Sequence, residues 1–157
     1  MPNVFKGELH APPGRFAIVV SRYNESITNK LLSGAQETLL LHGVSDRMID
    51  VAWVPGAWEI PLVADRLALC GRYVAVICLG AVIRGETTHD QHINRAVTNQ
   101  LSSTAINSGV PVLLGLLTCE NLEQAIHRSG GQHGNKGAEC AEAALHMVNL
   151  LDTLPER

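Results

Sequence analysis

Apolar positions along the chain fall into two kinds of segment. Phe16 to Val20, Val74 to Leu79 and Val112 to Leu117 are continuous apolar runs. Short runs of this kind, without alternation, predict strands buried on both faces, as in a parallel sheet. Ile49 to Val54 alternates instead, which predicts a less buried strand. Between these runs the spacing changes to that of helices. Ile27, Leu31, Ala35 and Leu39 share one helical face, with Gly43 placed to end it. Ile60, Val63, Ala64 and Leu67 form a second stripe, and Pro61 is tolerated in its first turn. Ile93, Ala96, Val97 and Leu101 make a third, and Ala138, Ala141, Leu145 and Val148 a fourth. Strand and helix in strict alternation predict a doubly wound α/β layer with right-handed crossovers. Such a layer binds ligands beyond the carboxyl ends of its strands.

A chain of 157 residues with no linker-like stretch fits one domain. The first fourteen residues form an extension with room for a short strand. Hydrophobic residues make up 46% and charged residues 17%, which gives a real core and predicts apolar surface covered by other subunits. A net charge of -3 leaves no basic footprint for nucleic acid. The start lacks the features of a signal peptide, and apolar runs of about eight residues are too short to span a bilayer. Cys70, Cys78, Cys119 and Cys140 contain no C-x-x-C pair. They read as buried free thiols in a reducing cytoplasm.

The unusual residues gather where the strands should end. Ser21-Arg22-Tyr23-Asn24 follows the first strand, and Pro55-Gly56-Ala57-Trp58-Glu59 the second. A loop from Gly80 to His89 follows the third. In it Gly85 allows a tight turn, Thr87 or Thr88 can cap the next helix, and Thr88 to Gln91 fits a capping box. A helix start of this type can hold a phosphate on its free N–H groups, or can simply start a helix. His89 falls in the first turn, where the positive helix end favours a neutral, proton-accepting ring; an exposed histidine without a role is the bland alternative. His89 and His92 lie three apart, but no third metal ligand is evident.

Tyr23 and Trp58 are two of six aromatic residues and both occupy exit loops, where they can stack on a flat heterocycle or merely cover the sheet end. Glu59 can compensate a helix dipole. Arg128, the Gly130–Gly134 turn and Lys136 can bind an anion or form a solvated helix end.

These loops resemble the lumazine synthase family. Arg22-Tyr23-Asn24-Glu25 is similar to its R-F-N-E, and Val54 to Pro61 to its V-P-G-A-F-E-I-P. Leu79 to His89 is similar to L-G-A-V-I-R-G-E-T-x-H, and Gly134 to Gly137 to G-N-K-G. The resemblance covers about Arg15 to Leu150 in matching order. It implies a flavodoxin-like three-layer sandwich with a mainly parallel four-stranded sheet. It also implies condensation of 5-amino-6-ribitylaminouracil with 3,4-dihydroxy-2-butanone 4-phosphate to 6,7-dimethyl-8-ribityllumazine, without cofactor or metal. Tyr23 would stack on the pyrimidine, and Ala57, Trp58 and Glu59 would hold the ribityl chain. Ala81, Val82 and Ile83 would meet the pyrimidine edge, and Gly85, Glu86 and Thr87 the phosphate. His89 would transfer protons. Arg128 of a neighbouring subunit would complete the phosphate site, with Leu114 and Lys136 nearby. The implied assembly is a pentamer, and the short Gly130–Gly134 turn favours an icosahedral shell of pentamers.

Three positions depart from the family pattern. Asp90 and Gln91 follow His89 in place of an aromatic and then an acid, Leu114 replaces a frequent phenylalanine, and Gln132 a frequent lysine. A non-catalytic paralogue that binds ribityl-lumazine or flavin is the alternative. A flavodoxin-type electron carrier needs a Ser/Thr/Gly-rich phosphate loop after the first strand, which Ser21-Arg22-Tyr23-Asn24 does not supply.

Overall fold

The computed structural model describes residues 1–156. Four parallel strands build the sheet: β1 (Arg15–Ser21), β2 (Ile49–Val54), β3 (Tyr73–Ile83) and β4 (Val112–Cys119), in the order β2-β1-β3-β4. The helices are α1 (Glu25–Leu41), α2 (Ile60–Leu69), α3 (His89–Ser108), α4 (Leu122–His127) and α5 (Lys136–Thr153). A small antiparallel hairpin, β5 (Ser129–Gly131) and β6 (Gly134–Asn135), joins α4 to α5. The doubly wound architecture expected from the alternation is therefore present.

The continuous apolar runs are explained by two separate cores. Phe16, Ile18 and Val20 of β1, with Ala75, Ile77 and Leu79 of β3, meet Leu31 and Leu39 of α1 and Ala141 and Leu145 of α5. The alternate residues, Ala17, Val19, Val76 and Cys78, meet Ile60 and Ala64 of α2 and Val97 and Leu101 of α3. Successive side chains point to opposite faces, so a strand covered on both needs apolar residues throughout. β2 is an edge strand in which only Val54 is buried, as expected of a less buried strand, although its burial does not follow the alternation of its sequence.

Several local expectations need correction. β3 does not end at Leu79 but continues through Ile83, because β4 pairs with it up to Ile83–Cys119. Gly80 to Ile83 are therefore strand, not loop. Residues 1–14 contain no strand; they lie along α5, where Asn149 Nδ2 donates to the carbonyls of Glu8 (2.6 Å) and His10 (3.0 Å). Cys78, Cys119 and Cys140 are buried, whereas Cys70, just beyond the end of α2, is exposed. Burial pushes the Cys140 thiol up to about 11 and raises Cys78 and Cys119, so these thiols stay protonated. Among the described residues no helix is long and apolar enough to cross a membrane.

Opposite the exit loops, the sheet is tied by charge. Arg15 of β1 donates from Nε (3.2 Å) and Nη2 (2.9 and 3.1 Å) to Asp50 of β2, and Tyr73 Oη of β3 donates to the same carboxylate at 2.7 Å. Arg15, and then Tyr73, hold the Asp50 carboxyl below its ordinary value of 3.8. The stabilisation is complete above that value and is lost as pH falls through the lower folded-state value. Both side chains are about a third exposed (31% and 41%), which keeps the effect small. We predict that thermal stability of the wild type falls more steeply than that of Asp50→Asn below about pH 4. Parallel melting curves in calorimetry would show that the pair contributes nothing.

Candidate functional site

β1, β2 and β3 end side by side, and the switch point of the sheet lies between β1 and β3. Their exits are stitched together by backbone hydrogen bonds. Arg22 N–H donates to Val54 O at 2.8 Å, and Tyr23 N–H donates to Pro55 O at 3.0 Å. Tyr23 is thereby fixed beside the Gly56 turn, with its side chain exposed.

A cleft of about 390 Å³ opens at this point. Tyr23 comes to it from β1, and Gly56, Ala57, Trp58 and Glu59 from the exit of β2. Ala81, Val82, Ile83, Gly85 and Thr87 line it from β3 and its exit, and His89, Asp90 and Ile93 from α3. Ten of the residues proposed from the sequence thus share one cleft. Glu86 belongs to the same loop but does not line it. Glu59 has a local job as well: its Oε2 accepts from Gly56 N–H at 2.9 Å and holds the turn.

The expected capping box at Thr88 does not form, because the Thr88 side chain makes no cap bond. Of the two threonines offered as caps it is Thr87 that serves, its Oγ1 accepting from His89 N–H at 3.3 Å. Among the described residues the N–H groups of Gly85, Glu86 and Thr87 have no acceptor, and they precede the positive end of a twenty-residue helix. Free donors backed by a helix dipole can hold an anion. His89 is the first residue of that helix and is exposed. Its ring has no hydrogen-bond partner among the described residues.

Gly56, Asp90 and Ile93 line the cleft without having been assigned to it from the sequence. Asp90 and Ile93 follow His89 on α3, so this helix contributes a wall. The Oδ1 atoms of Asp90 and Asn94 are buried without a donor among the described residues.

Arg128, Lys136 and Leu114 do not join this cleft. Arg128 and Lys136 line a second cavity of about 330 Å³, with Thr118, Cys119, His133 and Glu139. Arg128 ends α4 and donates from Nη1 to the Gln124 carbonyl at 3.3 Å. Leu114 is 42% exposed on β4, the other edge strand of the sheet. The Gly134–Gly137 motif has structural work of its own here. Gly134 takes φ +79°, and Asn135 Oδ1 caps α5 by accepting from Ala138 N–H at 3.1 Å. Asn135 Nδ2 donates to Lys30 O at 2.9 Å, and a Cβ on Gly137 would collide with the Leu31 carbonyl.

Among the described residues no group of three or more His, Cys, Asp or Glu side chains is placed to hold a metal ion. Compared with known protein families, residues 13–152 match the model described as 6,7-dimethyl-8-ribityllumazine synthase. With that match spanning nearly the whole domain, and its exit loops gathered at one cleft, the chain belongs to the lumazine synthase family.

Proposed function

We propose that the protein condenses 5-amino-6-ribitylaminouracil with 3,4-dihydroxy-2-butanone 4-phosphate, releasing phosphate and water and forming 6,7-dimethyl-8-ribityllumazine. The observation that carries this is the convergence of an aromatic ring, free N–H donors at a helix start and an unpaired histidine on one cleft. An amine of the uracil attacks the ketone, the imine eliminates phosphate, and a second attack closes the ring. Because the substrate brings its own nucleophile, the protein needs only to position, to stabilise phosphate charge and to move protons. Tyr23 stacks on the pyrimidine while the backbone of Ala81 to Ile83 meets its edge. Ala57, Trp58 and Glu59 hold the ribityl chain. Gly85, Glu86 and Thr87 take the phosphate, and His89 transfers protons.

In this reading Arg128 belongs to the next subunit's site, with Lys136 and Leu114 beside it. The separation of the two cavities within one chain supports this division. Two different surfaces that must meet make a head-to-tail interface, and such an interface closes into a ring where its rotation closes and runs on as a filament where it does not. We take the ring to be the pentamer that the family resemblance implies, built into an icosahedral shell. The donorless oxygens of Asp90 and Asn94 are consistent with a ligand or a neighbouring copy completing them.

Purified protein mixed with both substrates should produce ribityllumazine fluorescence and stoichiometric phosphate, undiminished by a chelator. No product, or loss of activity with the chelator, would contradict the reading. His89→Ala should slow turnover by about 10²- to 10⁴-fold with nearly normal substrate affinity. A hydrogen bond to a charged group contributes roughly 1.5–3 kcal/mol. Arg128→Ala should therefore weaken the butanone phosphate by about tenfold to a hundredfold and leave the uracil unaffected, as read by calorimetry. A parallel loss of both affinities would assign Arg128 to the subunit interface instead.

A further inference from the structure

Asn24 has a conformation and a partner that its place in the chain does not explain. It is the only non-glycine with positive φ among the described residues (φ 62°, ψ 47°). It stands at the N-cap of α1, where an Asn side chain ordinarily accepts from the first-turn N–H groups. Here the side chain makes no cap bond; only the Asn24 carbonyl serves the helix, accepting from Ile27 N–H (2.9 Å) and Thr28 N–H (3.0 Å). The left-handed backbone sends the side-chain amide across to β3, where Nδ2 donates to Ala81 O at 2.9 Å.

That bond falls just past the end of the ladder. β1 and β3 are in register to Val20–Leu79, and β1 then turns away at Ser21. Asn24 thus carries the tie between β1 and β3 on to Ala81, beyond the last strand pair. Its sequence neighbour Tyr23 is pinned on the other side by Pro55 O. Asn24 does not itself line the cleft, whereas Tyr23 and Ala81 both do.

We infer that Asn24 is a positioning residue for uracil recognition, fixing the distance between the Tyr23 ring and the Ala81–Ile83 backbone. This rests on the function proposed above. The role needs a left-handed backbone and a side-chain donor together. Glycine offers the first alone, and aspartate tolerates it but turns a carboxylate against the carbonyl. Asparagine meets both conditions.

Calorimetric titration with 5-amino-6-ribitylaminouracil and, separately, with inorganic phosphate tests the role. Asn24→Gly keeps the backbone conformation and removes the tie. It should weaken the uracil by about two- to tenfold, the fold-change expected for one neutral hydrogen bond, and leave phosphate within about twofold. Asn24→Asp should be weaker still at neutral pH, and its deficit relative to wild type should shrink as acid protonates the new carboxyl into a donor. Uracil binding by Asn24→Gly equal to wild type would overturn the inference. So would an equal loss of both ligands, or an Asn24→Asp deficit that does not move with pH. A wild-type protein that binds no uracil at all would overturn the proposed function, and this role with it.

Discussion

Burying a parallel sheet on both faces is the constraint from which the rest follows. β1 is buried from Phe16 to Ser21 and β3 from Ala75 to Ala81, so neither strand has a face on which polar chemistry can be displayed. Backbone amides inside the sheet are spent on one another, and only at the strand exits do they become free. Polar function is therefore driven to one end of the molecule. There the exits of β1, β2 and β3 contribute side chains and unpaired N–H groups within a single cleft. The opposite end carries the Arg15–Asp50–Tyr73 tie, which links the three strands by partly exposed side chains.

The edges of the same sheet carry the second half of the account. A four-stranded sheet leaves β4 unpaired on one side, and exposed Leu114 and Thr118 lie along it. Beside this edge lies the cavity lined by Arg128 and Lys136. The cation-bearing cavity and the cleft with free donors lie apart within one chain, as the proposed sharing of a site between copies requires. The modest charged fraction of the chain and the exposure of Leu62, Ile106 and Leu114 accord with that proposal.

Much of this was legible in the sequence because burial writes itself into periodicity. Runs such as Phe16–Val20 named the central strands, and stripes such as Ile27–Leu39 named a helix and its buried face. What escaped was set by partners distant in sequence. β3 runs on past Gly80 because β4 pairs with it, and periodicity cannot see a pairing partner. Spacing left Thr87 and Thr88 both open as caps of α3 and offered a capping box at Thr88 that does not form, because loop geometry decides which hydroxyl reaches the helix. Asn24 looked like one more loop residue, since its bond to Ala81 spans 57 positions. The separation of Arg128 from His89 depends on the whole fold, and only the family resemblance pointed to it: it gave Arg128 to a neighbouring subunit, and a single chain does keep the two in different cavities.

The central claim, that one functional site is assembled from two copies, is tested most directly by complementation. His89→Ala disables the cleft and Arg128→Ala the opposite cavity, so in either pure variant every interface lacks one half. Co-expressed in equal amounts and purified as mixed assemblies, they should regenerate intact interfaces wherever a His89-bearing cleft meets an Arg128-bearing neighbour. Random mixing makes that about a quarter of all interfaces in a head-to-tail ring. Turnover at low butanone phosphate should then rise to about a quarter of the wild-type value, well above either variant alone. Mixed assemblies no more active than the average of the two pure variants would contradict a site shared between subunits.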